Sequence, residues 1–494
     1  MPPRVPNLTS AVSALRAAAN KVAVPAVNAA ARVATAANPV VRKDPISRLA
    51  QSQTLFTLPA ISLEKAQPTF DAIQSRRFSQ SAAQNPKKRA LFIGYGNMAK
   101  PMLKAFRDAN PDYEIVICSP NIFNKEDKPK GFGISIFNDP KLVPGKFDDI
   151  FVTIKPQSFD QVLPDYASKL NDDGRLISVA AGKTIADLQK FFPEAKKLFR
   201  VMPNTPMQIE NEARGNEGVA GIYANSAASQ SDVKFVQNSF AGTSVVVANE
   251  SEINGITAIS GSGPAYFFHL AAEIYKATQD IDYDLDSKAS DDVSGEGKIF
   301  QWMLEACKSI PEGVLLKDFR EEHPSSFDKK VEELMSKKGT LKDFLIEVVK
   351  LKNPDAIKSA MLYVAQCFID GATKEEGASK NVQFSAKDAN NLVMKTMEGA
   401  AALAIKSGES AEALRAKVTS PSGTTFYGLK VLMDNEVDPA ASKPKETRPM
   451  TLQEICNGTL RAACDRALAL GTPPVAPSHN GASNLKGPGT AHSK

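Results

Sequence analysis

The segment Arg89-Ala-Leu-Phe-Ile-Gly-Tyr-Gly-Asn-Met-Ala-Lys100 constrains the fold of this chain more than any other. An apolar run that halts at glycines and restarts with helix-forming residues reads as a buried strand, a tight turn and a helix start. Gly94-x-Gly96-x-x-Ala99 is a dinucleotide-binding fingerprint. The first glycine allows the turn, the second lets a pyrophosphate approach, and the alanine lets helix and strand pack closely. Many strand–glycine–helix turns mimic this motif, so its meaning rests on the later strands. Tyr113 to Cys118 reads as a second strand ending at Ser119-Pro-Asn121. Asp148 to Ile154 runs into Lys155-Pro156, Leu176 to Gly182 ends in small residues, and Leu198 to Met202 runs into Pro203-Asn-Thr-Pro206. A doubly wound sheet places its ligand contacts at such strand ends. The expectation is an α/β Rossmann-type N-terminal domain over about 88–250.

The end of the second strand bears on the cofactor. NAD sites usually carry Asp or Glu there for the ribose hydroxyls. This chain has Ser119 and Asn121, with Lys125 and Lys128 just beyond. A hydroxyl, an amide and nearby cations suit a 2′-phosphate, which favours NADPH and leaves NADH possible.

A second stretch, Ala258-Ile-Ser-Gly-Ser-Gly-Pro-Ala-Tyr-Phe-Phe268, divides the chain. Ser260 to Gly263 has little side chain, and Pro264 suits a first helical position. The expected arrangement is a glycine loop capping an apolar helix whose outward amides favour an anion. From 251 to 470 the patterns are helical, an all-α C-terminal dimerisation domain. They are interrupted at about 279–356 by an acidic, turn-rich run and three short amphipathic helices near 298–309, 328–337 and 340–352. This segment reads as an insertion dispensable for folding, its acids a solvated face without EF-hand spacing. Ser385 to Ser407 and Thr451 to Leu470 read as long helices, and residues 471–494 as a disordered tail. Helices with so much apolar surface usually bury it against a copy of themselves, so a homodimer or larger homo-oligomer is expected.

The formal charge of +5 is unevenly spread. Residues 1–78 hold ten Lys or Arg against Asp44, Glu64 and Asp71, which leaves the remainder net negative. The basic balance therefore belongs to the leader and does not argue for nucleic acid. That leader has no acid before Asp44, and Ser75-Arg-Arg-Phe-Ser-Gln-Ser81 resembles a presequence cleavage context. It reads as a mitochondrial presequence addressing the matrix, with a disordered cytoplasmic extension as the alternative. Five separated cysteines form no metal or disulfide framework, and the four histidines are scattered, so no metal is expected. No apolar run is long enough for a membrane span.

In order and rough spacing, six motifs resemble the pyrroline-5-carboxylate reductase family. They are Gly94-Tyr-Gly-Asn-Met-Ala99, Lys155-Pro156, Ala180-Ala-Gly182, Met202-Pro-Asn-Thr-Pro206, Ser260-Gly-Ser-Gly-Pro-Ala-Tyr266 and Val418-Thr-Ser-Pro-Ser-Gly-Thr-Thr425. The resemblance implies reduction of 1-pyrroline-5-carboxylate to proline with NAD(P)H, by a homo-oligomer. It places Gly94, Gly96, Asn97, Met98, Ser119, Asn121, Asn138, Thr153, Ile154, Lys155, Pro156, Val179 and Ala181 at the cofactor. It places Glu250, Gly423, Thr424 and Thr425 at the substrate, with Thr425 catalytic at the ring nitrogen and Thr424 contributing only its amide. Two departures stand out. Ser422 occupies a position usually held by glycine, which strains the loop if its φ is positive. Glu409 to Arg415 also lacks the His-Pro-Gly of many relatives. A hydroxy-acid reductase of the same fold would want a lysine on the helix after the hinge, and Lys276 lies too many turns away. A catalytically silent paralogue acting through its insertion is the other alternative.

Overall fold

The computed structural model describes residues 87–124, 129, 133–211, 215–285, 295–373, 383–436 and 447–471. The leader, Lys125, Lys128, most of the acidic run and the tail lie outside the described residues.

Strand β1 (Arg89–Ile93) is followed by β2 (Glu114–Cys118), β3 (Ile134–Phe137), β4 (Phe147–Val152), β5 (Leu170–Ser178) and β6 (Lys197–Pro203). A small hairpin of β7 (Glu210–Asn211) and β8 (Gly215–Asn216) precedes β9 (Val219–Ala224) and β10 (Thr243–Val246). The large sheet has the order β10-β9-β6-β5-β4-β1-β2-β3. Its neighbours are parallel except β6 and β9, which are antiparallel. The run from β3 through β1 to β6 is the doubly wound order expected from the fingerprint, with its switch point between β1 and β4. The two strands beyond β6 are additional to that expectation. Nothing local marks them apart from short apolar runs, which periodicity cannot tell from helix.

The sheet is buried on both faces because its strands are apolar at successive positions. On β1, Ala90 and Phe92 enter one core and Leu91 and Ile93 the other. Phe92 stacks on Phe151 of β4 at 4.5 Å between ring centroids. Helix α1 (Ala99–Ala109) covers that face with Met102, Leu103 and Phe106. The short helices α2 (Phe159–Val162) and α3 (Ile185–Phe191) cover the other with Phe159 and Leu188, and α4 (Gln230–Phe240) packs beside α1.

The C-terminal part is helical, as expected. It opens with α5 (Glu252–Ile256) and α6 (Gly263–Asp280) and continues through α7 (Glu296–Lys308), α8 (Leu316–Glu322), α9 (Lys329–Met335) and α10 (Leu341–Val349). It ends with α11 (Pro354–Ala372), α12 (Ala386–Ser407), α13 (Ala411–Val418), α14 (Thr424–Asp434) and α15 (Leu452–Gly471). Both α6 and α11 are buried on nearly every face within the single chain.

The expected insertion is packed into the helical domain rather than set apart from it. Helices α7, α9 and α10 occupy roughly the three expected spans, and α8 is additional. Ile299, Phe300, Met303, Leu316, Val331, Leu345 and Val348 belong to the same core as α6, α11 and α12. Polar contacts tie it in as well. Glu296 accepts from the Ala411 amide at 2.8 Å, and Asn390 accepts from the Leu316 amide at 2.9 Å. The amphipathic stripes that marked these helices are buried against the rest of the domain, which corrects the expectation.

Candidate active site

At the carboxyl end of β1, the two glycines of the fingerprint have different reasons. Gly94 has φ +99°, and a Cβ there would stand 2.8 Å from Ile154 Cγ2 and 3.1 Å from the Thr153 carbonyl oxygen. Its need is internal, set by the approach of the end of β4. The Thr153 hydroxyl holds that approach, directed at the carbonyls of Ile93 and Gly94 at 2.9 and 3.1 Å. Gly96 is exposed, and a Cβ there would meet nothing within 4 Å. Chain packing gives no reason for a glycine here, whereas close approach of a ligand does. Met98 makes no side-chain cap for α1, and the amides of Ala99 and Lys100 both turn back to the Gly96 carbonyl. Among the described residues the amides of Asn97 and Met98 have no acceptor. Such a helix start favours an anion.

The other expected cofactor residues line the same rim. The Gly94 amide donates to Cys118 at the end of β2, and the Ser119 amide to Phe137, next to Asn138. Asn121 and Asn138 are exposed, as is Lys155, which precedes the turn Pro156–Ser158. Val179 donates to the Val152 carbonyl, bringing Val179 and Ala181 beside the end of β4. The residues at the end of β2, Ser119 and Asn121, are themselves a hydroxyl and an amide rather than acids. A cavity of about 430 Å³ flanks α1 and includes Asn97 but no other residue expected at the cofactor. It is a groove on the far side of that helix.

The Ser-Gly-Ser-Gly stretch departs from expectation. Thr257 to Gly261 forms a π-helical turn joining α5 to α6, with the Ser262 amide donating to the Thr257 carbonyl at 2.9 Å. There is no open loop and no free helix start at this point. A Cβ on Gly261 would stand 2.6 Å from Met202 Cε, and one on Gly263 2.8 Å from Thr396 Cγ2. The glycines therefore admit the end of β6 on one side and α12 on the other. The turn also aims two hydroxyls. Ser260 accepts from Asn204 Nδ2 at 3.1 Å, and Ser262 shares a hydrogen bond with Thr424 at 3.1 Å. Such π turns interrupt helices frequently at functional sites.

That second bond brings the other expected strip to the hinge. Gly423 caps α14, its amide bonded to the Ser420 carbonyl at 3.0 Å. A Cβ on Gly423 would run into Ser420 Oγ, so the loop in this shape requires glycine there. Ser422 has φ +55°, so the strain anticipated for a side chain at this position is present. Arg466 Nε on α15 donates to the Ser422 carbonyl at 2.7 Å, and its guanidinium lies 5.3 Å from the centre of the Tyr427 ring. Thr425 is 5% exposed, and its hydroxyl has no partner among the described residues. The amides of Thr424 and Thr425 at the start of α14 have no acceptor there either. The Thr424 side chain, for which no contact was expected, is the one that bonds Ser262. Nothing in the local sequence identifies Ser262 or Arg466 as parts of this arrangement.

Glu250, expected at the substrate, is engaged within the chain by one of its carboxylate oxygens. Its Oε1 accepts from the Ile185 amide at 2.7 Å and from Arg200 Nη1 at 3.0 Å. It caps α3 and neutralises an arginine that is 4% exposed, whose pKa burial pushes down and Glu250 pulls back up. No hydrogen bond or ion pair of Glu250 reaches Gly423, Thr424 or Thr425 among the described residues. Behind the loop, Arg415 Nη1 bonds His269 Nδ1 at 2.9 Å. Burial, reinforced by Arg415, pushes the His269 pKa down to about 3, so the ring is neutral and accepts at Nδ1. The histidine thereby anchors α13, which leads into the Ser420–Thr425 loop.

Comparison with known proteins finds relatives for both the N-terminal and the C-terminal part of the chain. A family described as "Pyrroline-5-carboxylate reductase dimerisation" matches residues 357–445, and one described as "NADP oxidoreductase coenzyme F420-dependent" matches residues 89–182. The pyrroline-5-carboxylate reductase of Haemophilus influenzae is 31% identical over 242 residues, covering 47% of this chain and 83% of the relative. That of Arabidopsis thaliana is 30% identical over 185 residues, covering 37% of this chain and 64% of the relative. The solved structure of a pyrroline-5-carboxylate reductase from Coxiella burnetii aligns with a TM-score of 0.37 at 22% identity, covering 78% of this chain and 100% of that one. One matched region holds the β1 glycine turn and the other the Ser420–Thr425 loop, and a relative of 31% identity is spanned over 83% of its length. By these matches the chain belongs to the pyrroline-5-carboxylate reductase family.

Proposed function

We propose that this chain reduces 1-pyrroline-5-carboxylate to L-proline with NADPH, and that Thr425 is its catalytic side chain. The observation that carries the assignment of roles is the start of α14, where the hydroxyl of a largely buried threonine, without a partner among the described residues, stands beside two amides without acceptors. A planar cyclic imine with an adjacent carboxylate matches that set. The amides of Thr424 and Thr425, aided by the helix dipole, take the carboxylate. Thr425 Oγ1 bonds the ring nitrogen and holds the C=N plane. The imine nitrogen arrives protonated, so hydride addition at carbon yields the amine with no further acid in the site. The bound dinucleotide supplies that hydride, and the protein supplies orientation and electrostatics.

For the cofactor, the open space above Gly96 and the uncapped start of α1 fit a pyrophosphate. Ser119 and Asn121, a hydroxyl and an amide where an NAD site usually has an acid, suit a 2′-phosphate better than free ribose hydroxyls. Asn138, Lys155, Pro156, Val179 and Ala181 complete the rim, whereas Thr153 and Ile154 act through the shape of the glycine turn. Ser119→Asp is expected to lower kcat/KM for NADPH relative to NADH, because a carboxylate repels the phosphate. An unchanged ratio would show that the phosphate sits elsewhere.

The assignment is tested by supplying 1-pyrroline-5-carboxylate and NADPH to the purified chain and following both NADPH and proline. A folded protein that consumes neither would leave the silent-paralogue reading in its place. The helical domain works as a homo-oligomer, and residues 1–78 address the chain to the mitochondrial matrix, as their acid-poor, Arg-bearing composition suggests. A fluorescent reporter fused behind that segment should enter mitochondria, and a diffuse cytosolic signal would refute the address.

A further inference from the structure

We infer that Arg466 is a positioning residue for the substrate: it holds the Ser420–Thr425 loop in the one conformation that presents the α14 amides. The inference rests on the reading of that helix start as the substrate site, and deepens it. Ser422 sits at φ +55°, in the left-handed region. For a residue with a Cβ this conformation is disfavoured by roughly five- to thirtyfold in population. Something in the fold must offset that preference. Gly423 contributes an amide bond to the Ser420 carbonyl at 3.0 Å, which closes the turn but does not touch Ser422. Arg466 Nε donates to the carbonyl of the strained residue itself, at 2.7 Å. The same guanidinium rests 5.3 Å from the Tyr427 ring centre, one turn into α14, so it spans the loop and the helix it introduces. On the opposite side the Ser262–Thr424 hydrogen bond ties α14 to the π-helical turn. The loop is thus held between α15 and the hinge, and among the described residues the α15 hydrogen bond is the one that acts on the residue carrying the strain.

Glycine at position 422 needs no such support, since it enters the left-handed region without a Cβ penalty. The two positions should therefore be coupled. In the natural chain Arg466→Gln removes the charge-assisted bond and lets Ser422 relax to negative φ, drawing Gly423 and the Thr424 amide out of place. The expected result is a loss of about tenfold in kcat/KM for 1-pyrroline-5-carboxylate, with KM for NADPH unchanged. In a Ser422→Gly background the same Arg466→Gln change should cost less than about threefold. Arg466→Lys, which keeps a donor without the planar stack, should fall between. Such rescue by a backbone change is not expected of a residue that merely stabilises α15.

These kinetic measurements are made on the full chain beside Thr425→Ala. If Thr425→Ala impairs turnover but Arg466→Gln costs the same with Ser or Gly at 422, Arg466 does not act through the strained residue and the inference falls alone. A normal kcat/KM for Arg466→Gln in the natural background would also overturn it. If Thr425→Ala leaves turnover intact, the helix start is not the substrate site, and both readings fall together.

Discussion

Thr425→Ala separates catalysis from stability more cleanly than any other change in this chain. The residue is largely buried, 5% exposed, yet its hydroxyl bonds no described group. Removing it from the free protein breaks no internal hydrogen bond, although the substitution also takes away the γ-methyl. Folding stability should therefore fall by no more than about 1 kcal/mol, the cost of one buried methyl. Turnover should not be spared. If the hydroxyl bonds the ring nitrogen, its loss leaves a charged or charging group unpaired in a buried site, worth about 1.5–3 kcal/mol. That corresponds to roughly a ten- to hundredfold loss in kcat/KM for 1-pyrroline-5-carboxylate. The contact tightens as charge moves during hydride transfer, so kcat should fall together with kcat/KM. Thr424→Ala should behave oppositely, costing about 1 kcal/mol of stability through the lost Ser262 bond and less in turnover. The assay is initial-rate kinetics with each substrate varied, beside thermal unfolding of the same samples. If Thr425→Ala melts well below the natural chain and keeps its rates, the residue is a packing element and the mechanism above is wrong.

Particular contacts elsewhere in the chain have consequences of their own. Gly96→Ala should weaken NADPH binding while leaving unfolding unchanged, because its Cβ meets no protein atom, whereas Gly94→Ala should destabilise by about 1 kcal/mol or more through its φ of +99° and the Ile154 contact; equal melting temperatures for the two would refute this. Replacing residues 295–352 with a short linker should give insoluble or non-cooperatively unfolding protein, since Phe300, Leu345 and Val348 are core residues, and a soluble, active product would show the domain closes without them. His269 is held neutral with its pKa lowered from 6.5 to about 3, so the folded state binds fewer protons than the unfolded state between those values. Its contribution to stability is full above pH 6.5 and is lost as pH falls towards 3, at up to about 1.4 kcal/mol per pH unit. His269→Gln, which keeps an acceptor for Arg415, should flatten that acid limb, and an unaltered slope would locate the pH sensitivity in other groups.

The half of the site that was legible in the sequence is the half built from local signals. Gly94 to Ala99 holds a strand end, a turn and a helix start in six consecutive residues, and each later cofactor residue lies where its own strand stops. The rest stayed hidden because it depends on partners far away in the chain. Ser260-Gly-Ser-Gly263 reads as a loop because it lacks side chains, and it is wound into a π-helical turn because Met202 and Thr396 press against Gly261 and Gly263. The Glu250 side chain reads as isolated until the structure sets it against Arg200, fifty positions before it, through one carboxylate oxygen. The short helices of 295–352 announce an apolar stripe but not its partner, and the stripe is part of the core. Ser422 shows the limit most sharply. Sequence can state the question, whether a Cβ fits there, but the answer is a backbone angle, and the side chain beside that angle comes from Arg466, 44 positions later on another helix. A strained residue held by a distant arginine means that tertiary contact imposes the loop geometry against its own local preference. A glycine would reach the same φ without the arginine but would also leave the loop free to visit other conformations. Serine pinned by Arg466 gives one conformation, and makes the substrate end of the site depend on the docking of α15 onto α14.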